Sequence, residues 1–376
     1  MESGSTAIPH PFESNTLFGY LWNRPSYSDL LPRNFCMHWV DYIIRRLGWA
    51  VIIILIVSVI TFFIARVVPS DPAAAWVGPH PTPELIAKAR HDLMLDKPLY
   101  VQYLHYMDGL LHGDLGTSVK SHNPIIVDLK TYLPATLELV IVSIILAMVV
   151  GIPLGVLSGS KRGKLIDHIT RVVSIAGVSI PTFWLGLLLQ LLFFRRLGIL
   201  PISGRVSNLI AIYNPVQQIT GFYLIDSLVT FNWQAFGDVI LHLILPAFTL
   251  AVYPLGLSIR MTRSVIIEVL NERYIMAARV AGAPERTVLY VLALKNAIVP
   301  TLNVLGLSFA YSLTGAIMVE VIFSWPGLGS YVTNAVLGLD FPVIVSVTLI
   351  ITVFYVLINL ILDLLQAIID PRVVLT

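Results

Sequence analysis

The sequence predicts an all-α integral membrane protein of six spans with a structured outer loop after the first. Three observations carry that prediction. Of 376 residues, 56% are hydrophobic and only 12% are charged, whereas soluble domains carry about 25% charged residues. The mean hydropathy is +0.82, more apolar surface than one water-soluble core of this length can hide. The apolar residues also fall in long charge-free runs. A hydrocarbon layer about 30 Å thick needs roughly 20 helical residues, while a barrel would alternate in segments of about ten. A single cysteine, Cys36, excludes a disulfide scaffold. The balance of 24 basic and 22 acidic residues gives no reason to expect a nucleic-acid partner.

Taken in chain order, Met1–Phe35 is polar, holds Pro9, Pro11, Pro25 and Pro32, and lacks the apolar core of a cleavable signal peptide. Residues 1–41 are expected to form an N-terminal cytoplasmic arm, disordered or surface-lying, with Trp39–Arg46 an amphipathic entry to the first span. The membrane domain is expected over 42–376, with spans at about 47–65, 139–160, 172–194, 239–259, 298–319 and 341–362. The outer segment 66–132 is too long for a plain connector. Helices are expected from Thr82 to about Leu95 and over Leu99–Leu111, forming a cap on the bundle, a docking surface, or both. His105 and His112 share a helix face, but no Cys or HExxH accompanies them, so no metal site is expected.

Prolines 153, 181, 246 and 254 interrupt the spans, either as packing variety or as hinges along a pathway. The ionisable residues near membrane depth are Glu138, Glu320 and Asp363, all close to span ends, and His242. An ion-driven pump needs carboxylates nearer the midplane, so energy is expected to enter from elsewhere. The aromatic loop 195–238, with Phe222, Tyr223, Phe231, Trp233 and Phe236, is expected to lie on the headgroups. Lys161, Arg162, Lys164 and Arg171 crowd one short loop, and Arg260, Arg263, Arg273, Arg279, Arg286 and Lys295 crowd another. Positive residues stay inside, so both termini are expected in the cytoplasm.

The second basic loop, 260–297, is long for a connection between membrane helices. It reads as one helix over Val265–Val280, a break at Ala281-Gly282-Ala283-Pro284, and a second helix over Glu285–Leu294. Small Ala277, Ala278 and Ala281 would let a partner approach closely, and Arg279, Glu285 and Arg286 could hydrogen-bond to it. A short helix joined rigidly to two spans can turn a push from below into span motion.

Tyr274-Ile-Met-Ala-Ala-Arg-Val-Ala-Gly282, followed by Asn296-Ala-Ile-Val-Pro300, resembles the EAA loop of ATP-binding-cassette importer permeases. Glu320-Val-Ile-Phe-Ser-Trp-Pro-Gly-Leu-Gly329, Asp340-Phe-Pro342 and Asp370-Pro-Arg372 resemble the dipeptide/oligopeptide branch of that family, as its first-permease subunit. So do Arg45-Arg46, Ser70-Asp-Pro72, His112-Gly-Asp-Leu-Gly116 and Leu133-Pro-Ala-Thr-Leu-Glu138. The resemblance spans about residues 42–376. Three departures stand out: Met276 replaces the signature glutamate, the outer loop before the fourth span is longer than usual, and the first 40 residues have no counterpart.

The resemblance implies the type I importer permease fold and a coupling role for Tyr274, Ala277, Ala278, Arg279, Gly282, Glu285 and Arg286. It implies a location for this chain in the cell (plasma) membrane, with a second homologous permease, two cytoplasmic ATPases that use ATP and Mg, and an extracellular binding protein as partners. No cofactor is expected on this chain, whose only Gly-Lys pair, Gly163-Lys164, is followed by Leu165 and not by the Ser or Thr of a P-loop. The substrate class implied is a di- or oligopeptide, with oligosaccharide or a nickel chelate as alternatives. Asn303, Ser308, Ser312 and Thr314 are candidate pathway residues, although small polar residues also suit helix packing. An intramembrane enzyme is the remaining rival. Gly177-Val-Ser179 and Gly338-Leu-Asp340 lack the neighbours such a site needs.

Overall fold

The computed structural model describes residues 35–67, 82–92 and 94–369, together with Ala73 and Val77. Residues 1–34 of the arm expected over 1–41, and the motifs at 70–72 and 370–372, lie outside the described residues, while residues 35–41 are helical and continuous with the first span. Thirteen helices are named here among the described residues: α1 (Phe35–Val67), α2 (Pro83–Asp92), α3 (Leu99–Leu111), α4 (Ile125–Ser160), α5 (Leu165–Ser179), α6 (Thr182–Arg196), α7 (Asn208–Tyr213), α8 (Tyr223–Val229), α9 (Trp233–Val269), α10 (Arg273–Val280), α11 (Glu285–Ile322), α12 (Leu328–Leu337) and α13 (Phe341–Ile369). Helices α1, α4, α9, α11 and α13 are each long and apolar enough to cross a membrane. The bent pair α5–α6 meets the same length and composition test only when taken together, as one broken span or a re-entrant loop.

Three expectations need correction. The span expected over 172–194 is not one rod, because α5 and α6 meet at 107°. Pro181 has no N–H to donate and disfavours helical geometry at its predecessor, and Ile180 takes φ −77° and ψ 125°. The helix expected over Val265–Val280 is two helices. Shaft α9 ends at Val269, where Asn271 and Glu272 donate to the carbonyls of Glu268 and Val269, and α10 starts at Arg273. The second loop helix does not stop at Leu294. It continues into the fifth span through a π-helical stretch at Val288–Ala293.

Shafts α4 and α9 form the spine of the bundle, in contact for most of their length. Gly151, Gly155 and Gly159 recur every fourth residue on one face of α4. They face Ser258, Thr262 and Ile266 of α9, and a Cβ placed on Gly155 would stand 2.6 Å from that of Thr262. Gly177 and Gly256 bring α5 equally close to α9. Around this spine the apolar core gathers Leu139, Val140, Leu243, Leu250, Val319, Phe323 and Trp325.

The outer cap is tied down by polar contacts. Asp340 accepts from the Ser118 hydroxyl at 2.5 Å and from the Lys120 amide at 3.1 Å, holding the loop after α3 on the start of α13. Tyr331 stacks on Tyr132 and donates to Asp128. Burial, with Asp128 beside it, pushes the Tyr331 hydroxyl above its ordinary range, so it stays a donor.

The loop over 195–238 was expected merely to lie on headgroups. Phe231 and Trp233 are indeed exposed. The loop is also anchored to the bundle from within. Buried Arg205 donates to Glu138 Oε2 and to the Gly221 carbonyl, under the Tyr223 ring. Glu138 Oε1 accepts from the Leu224 amide at 2.7 Å.

Candidate coupling site and pathway residues

At the base of the bundle, α10 crosses beneath α4, α9 and α11. Its inward residue is Ile275, fully buried in a socket made by Val156, Ile266, Val269, Val288, Ala293 and Ala297. One anchor therefore engages three spans. Tyr274 reinforces it, its hydroxyl accepting from Asn296 Nδ2 at 2.6 Å. This contact joins the two halves of the loop motif read from the sequence.

The opposite face of α10 is open. Met276 is 55% exposed and Val280 90% exposed. Ala277 and Arg279 are exposed beside them, and Ala278 is half-buried. Helix α10 ends in a left-handed turn. Gly282 has φ +84°, and the Ala283 amide reaches back to the Ala278 carbonyl at 3.0 Å.

Across that turn Arg279 grips Glu285, Nη2 to Oε1 at 2.8 Å and Nε to Oε2 at 3.3 Å. Both residues were expected to reach outward to a partner. Here they satisfy each other and brace α10 against the start of α11. Arg286 is exposed, with no ion pair among the described residues. The patch is thus an apolar knob, Met276 and Val280, edged by cationic and paired groups.

A second polar cluster lies just above. Asp167 of α5 accepts from Arg263 of α9 through both oxygens, from Ser158 at 2.8 Å and from the Gly163 amide at 2.9 Å. It ties the α4–α5 turn to the shaft that carries α10.

The four pathway candidates on α11 split between two faces. Ser308 and Ser312 are buried, Ser308 bonding back to the Val304 carbonyl. Asn303 and Thr314 lie on an exposed stripe with Leu307, Tyr311 and Met318. At the outer end of α11, Glu320 accepts from Thr136 at 2.6 Å and from the Ser330 amide at 3.0 Å, capping α12. Trp325 donates to the Ala135 carbonyl. Gly327 and Gly329 leave no room for a Cβ against Glu320 and Ile317. The motif over 320–329 is a packing device for α12.

Among the described residues no group of three His, Cys, Asp or Glu side chains is placed to hold a metal. Asp340, raised as an enzyme candidate, is the N-terminal anchor of α13.

The profile described as binding-protein-dependent transport system inner membrane component matches residues 151–375, and its N-terminal companion matches 39–140. The chain belongs to this permease family. It is 42% identical over 332 residues to the probable D,D-dipeptide transport system permease protein DdpB of Escherichia coli, covering 88% of this chain and 97% of the relative. The dipeptide transport system permease protein DppB of E. coli is 40% identical over 335 residues, 89% of this chain and 98% of the relative. The di/tripeptide permease of Pseudomonas aeruginosa matches with the same identity and coverage. The type I importer permease fold read from the sequence holds, and so does a location in the plasma membrane.

Sequence reasoning missed Ile275, whose role needs three spans to be seen together. It also missed the Asp167–Arg263 clamp, whose members are 96 residues apart. The hydroxyls of Tyr253 and Tyr311, inside apolar runs and away from the interfaces, were a usable signal that went unread.

Proposed function

We propose that this permease is one of two membrane subunits of an ATP-driven importer that translocates di- or oligopeptides delivered by an extracellular binding protein. The observation that carries the reading is the anchored, open-faced helix α10. Ile275 fixes it to three spans while Met276 and Val280 face outward. Such an element fits a groove on a cytoplasmic ATPase, and motion of the ATPase then biases the spans between outward- and inward-facing states. Hydrolysis belongs to those partners, with their ATP and Mg. The basic residues crowded into loops 161–171 and 260–297 support an orientation with this face and both termini in the cytoplasm.

The relatives named above, each a peptide permease, favour peptide over oligosaccharide or nickel chelate as cargo. Tyr274, Ala277, Ala278, Gly282 and Arg286 are assigned to the ATPase contact, with Arg279 and Glu285 shaping it. Asn303 and Thr314 are assigned to the face that meets the second permease or the pathway, because exposed polar side chains at membrane depth are costly against lipid.

The test is ATP hydrolysis and uptake by the co-expressed complex with its binding protein. Peptide, oligosaccharide and nickel-chelate panels are compared. Stimulation and uptake with dipeptides alone are expected. Stimulation by the oligosaccharide panel alone would overturn the cargo assignment.

A further inference from the structure

At the α5–α6 bend lies a cavity of about 260 Å³ lined by Thr182, Leu250, Tyr253, Tyr311, Ser312 and Gly315. Its lining residues sit well inside their apolar runs: Thr182 in 172–194, Tyr253 in 239–259, Tyr311 and Ser312 in 298–319. The cavity is therefore at membrane depth. It opens toward the exposed stripe of α11, where Tyr311 is 67% exposed between Asn303 and Thr314.

Four hydroxyls converge here. Most such groups elsewhere in the bundle are satisfied: Thr249 bonds to the Leu245 carbonyl, Ser308 to that of Val304, and Thr262 to Thr301. The Ser258 hydroxyl is a buried exception, but it is packed against Gly151 and faces no cavity. Ser312 differs from all of these in facing open space. It is 4% exposed, makes no bond to its own helix or any other described group, and lines the cavity. Thr182, Tyr253 and Tyr311 likewise have unused hydroxyls among the described residues, the two rings standing 6.4 Å apart. Helix α6 adds its first turn, which has no side-chain cap after Pro181. A hydroxyl left unpaired in hydrocarbon is costly, so this arrangement calls for a polar occupant.

We infer that this cavity is a hydrogen-bonding step on the translocation route, and that it takes the backbone amides of a peptide. The inference rests on the peptide-import reading above. No Lys, Arg, Asp or Glu lines the cavity, so it fixes no ion and reads no charged side chain. Its volume is below the roughly 300 Å³ of enclosed ligand pockets, so it grips a portion of a peptide and lets it go. A conduit for varied peptides needs that weak, sequence-tolerant contact.

The test uses the purified complex in liposomes with its binding protein. The triple variant Tyr253→Phe, Tyr311→Phe, Ser312→Ala removes hydroxyls and preserves shape. Losing a hydrogen bond in the rate-limiting state slows a step about five-fold. Labelled Ala-Ala imported per ATP hydrolysed is expected to fall by at least that factor. Unchanged uptake per ATP, in a complex whose parent imports Ala-Ala, would overturn the cavity's role and leave the peptide reading intact. A parent that hydrolyses ATP but imports no peptide would remove both. Independently, Ser312→Cys is made on a Cys36→Ser background, which frees the chain of other thiols. A small membrane-impermeant thiosulfonate is expected to label position 312 during turnover, more slowly when Ala-Ala is in excess. Failure to label, or labelling indifferent to peptide, would overturn the inference.

Discussion

The carboxylate of Asp167 lies in the fork of the Arg263 guanidinium, with Nε to Oδ1 at 2.6 Å and Nη2 to Oδ2 at 3.1 Å. Asp167 is almost fully buried and Arg263 about one-fifth exposed. The pair joins the α4–α5 turn to the last turns of α9, just before α10. Removing the arginine strands a buried carboxylate, which typically costs about 3–5 kcal/mol. Arg263→Leu is therefore expected to destabilise the complex more than Asp167→Ala, and the double variant is expected to recover part of the loss. Thermal unfolding of the detergent-solubilised complex in a double-mutant cycle measures this. Additive single effects would show that the pair does not couple the two elements.

The glycine stripe on α4 leads to a contrast between two substitutions in long helices. Gly155→Ala puts a methyl 2.6 Å from Thr262 Cβ and 3.0 Å from the Ile259 carbonyl. The two shafts must separate, at about 1–3 kcal/mol for an overpacked contact. Gly237→Ala, in the first turns of α9, meets nothing within 4 Å, and is expected to stabilise by up to ~1 kcal/mol through helix propensity. Melting temperatures of the two variants should move in opposite directions. A shift of the same sign would mean that α4 and α9 are not packed backbone to backbone.

How far the sequence could be read follows from these elements. Five spans were legible because apolar runs of the required length register without tertiary information, and even α3 begins and ends where expected. Span three was misjudged because hydropathy counts residues and carries no angle. Pro181 marked the place of the bend, but its 107° depends on how α6 packs against α9 and α11. Gly151, Gly155 and Gly159 are visible as a four-residue repeat, while Thr262 as its counterpart is not. In loop 260–297 the break at Gly282 was readable from residue type. The Arg279–Glu285 grip was not, since its six-residue separation closes only once the left-handed turn has formed.

That grip makes a charge-reversal prediction. Arg279→Glu places like charges across the turn and is expected to loosen α10 and weaken retention of the ATPase during co-purification. The swapped pair Arg279→Glu with Glu285→Arg restores the attraction and is expected to regain most of that retention. An exposed pair contributes only about 0–1 kcal/mol to global stability, so melting should barely change in either variant. If the swap retains no more ATPase than the single variant, Arg279 meets the partner directly and the bracing role is wrong.

Gly282 tests the same turn through the backbone. At φ +84° a proline, confined near −65°, cannot take its place, and even alanine is strained by about 1–2 kcal/mol. Gly282→Pro is expected to tilt α10 out of register with its groove while the spans, held by Ile275 and the glycine stripe, stay folded. ATP hydrolysis by the complex should then lose its dependence on liganded binding protein, and peptide uptake should fall several-fold further than hydrolysis. Gly282→Asn is the informative companion, because asparagine tolerates left-handed geometry better than other non-glycine residues. It should keep coupling near the parental level. Uptake at the parental rate in the proline variant would mean that the turn plays no part in transmission, and the coupling assignment of 260–297 would have to move elsewhere on the cytoplasmic face.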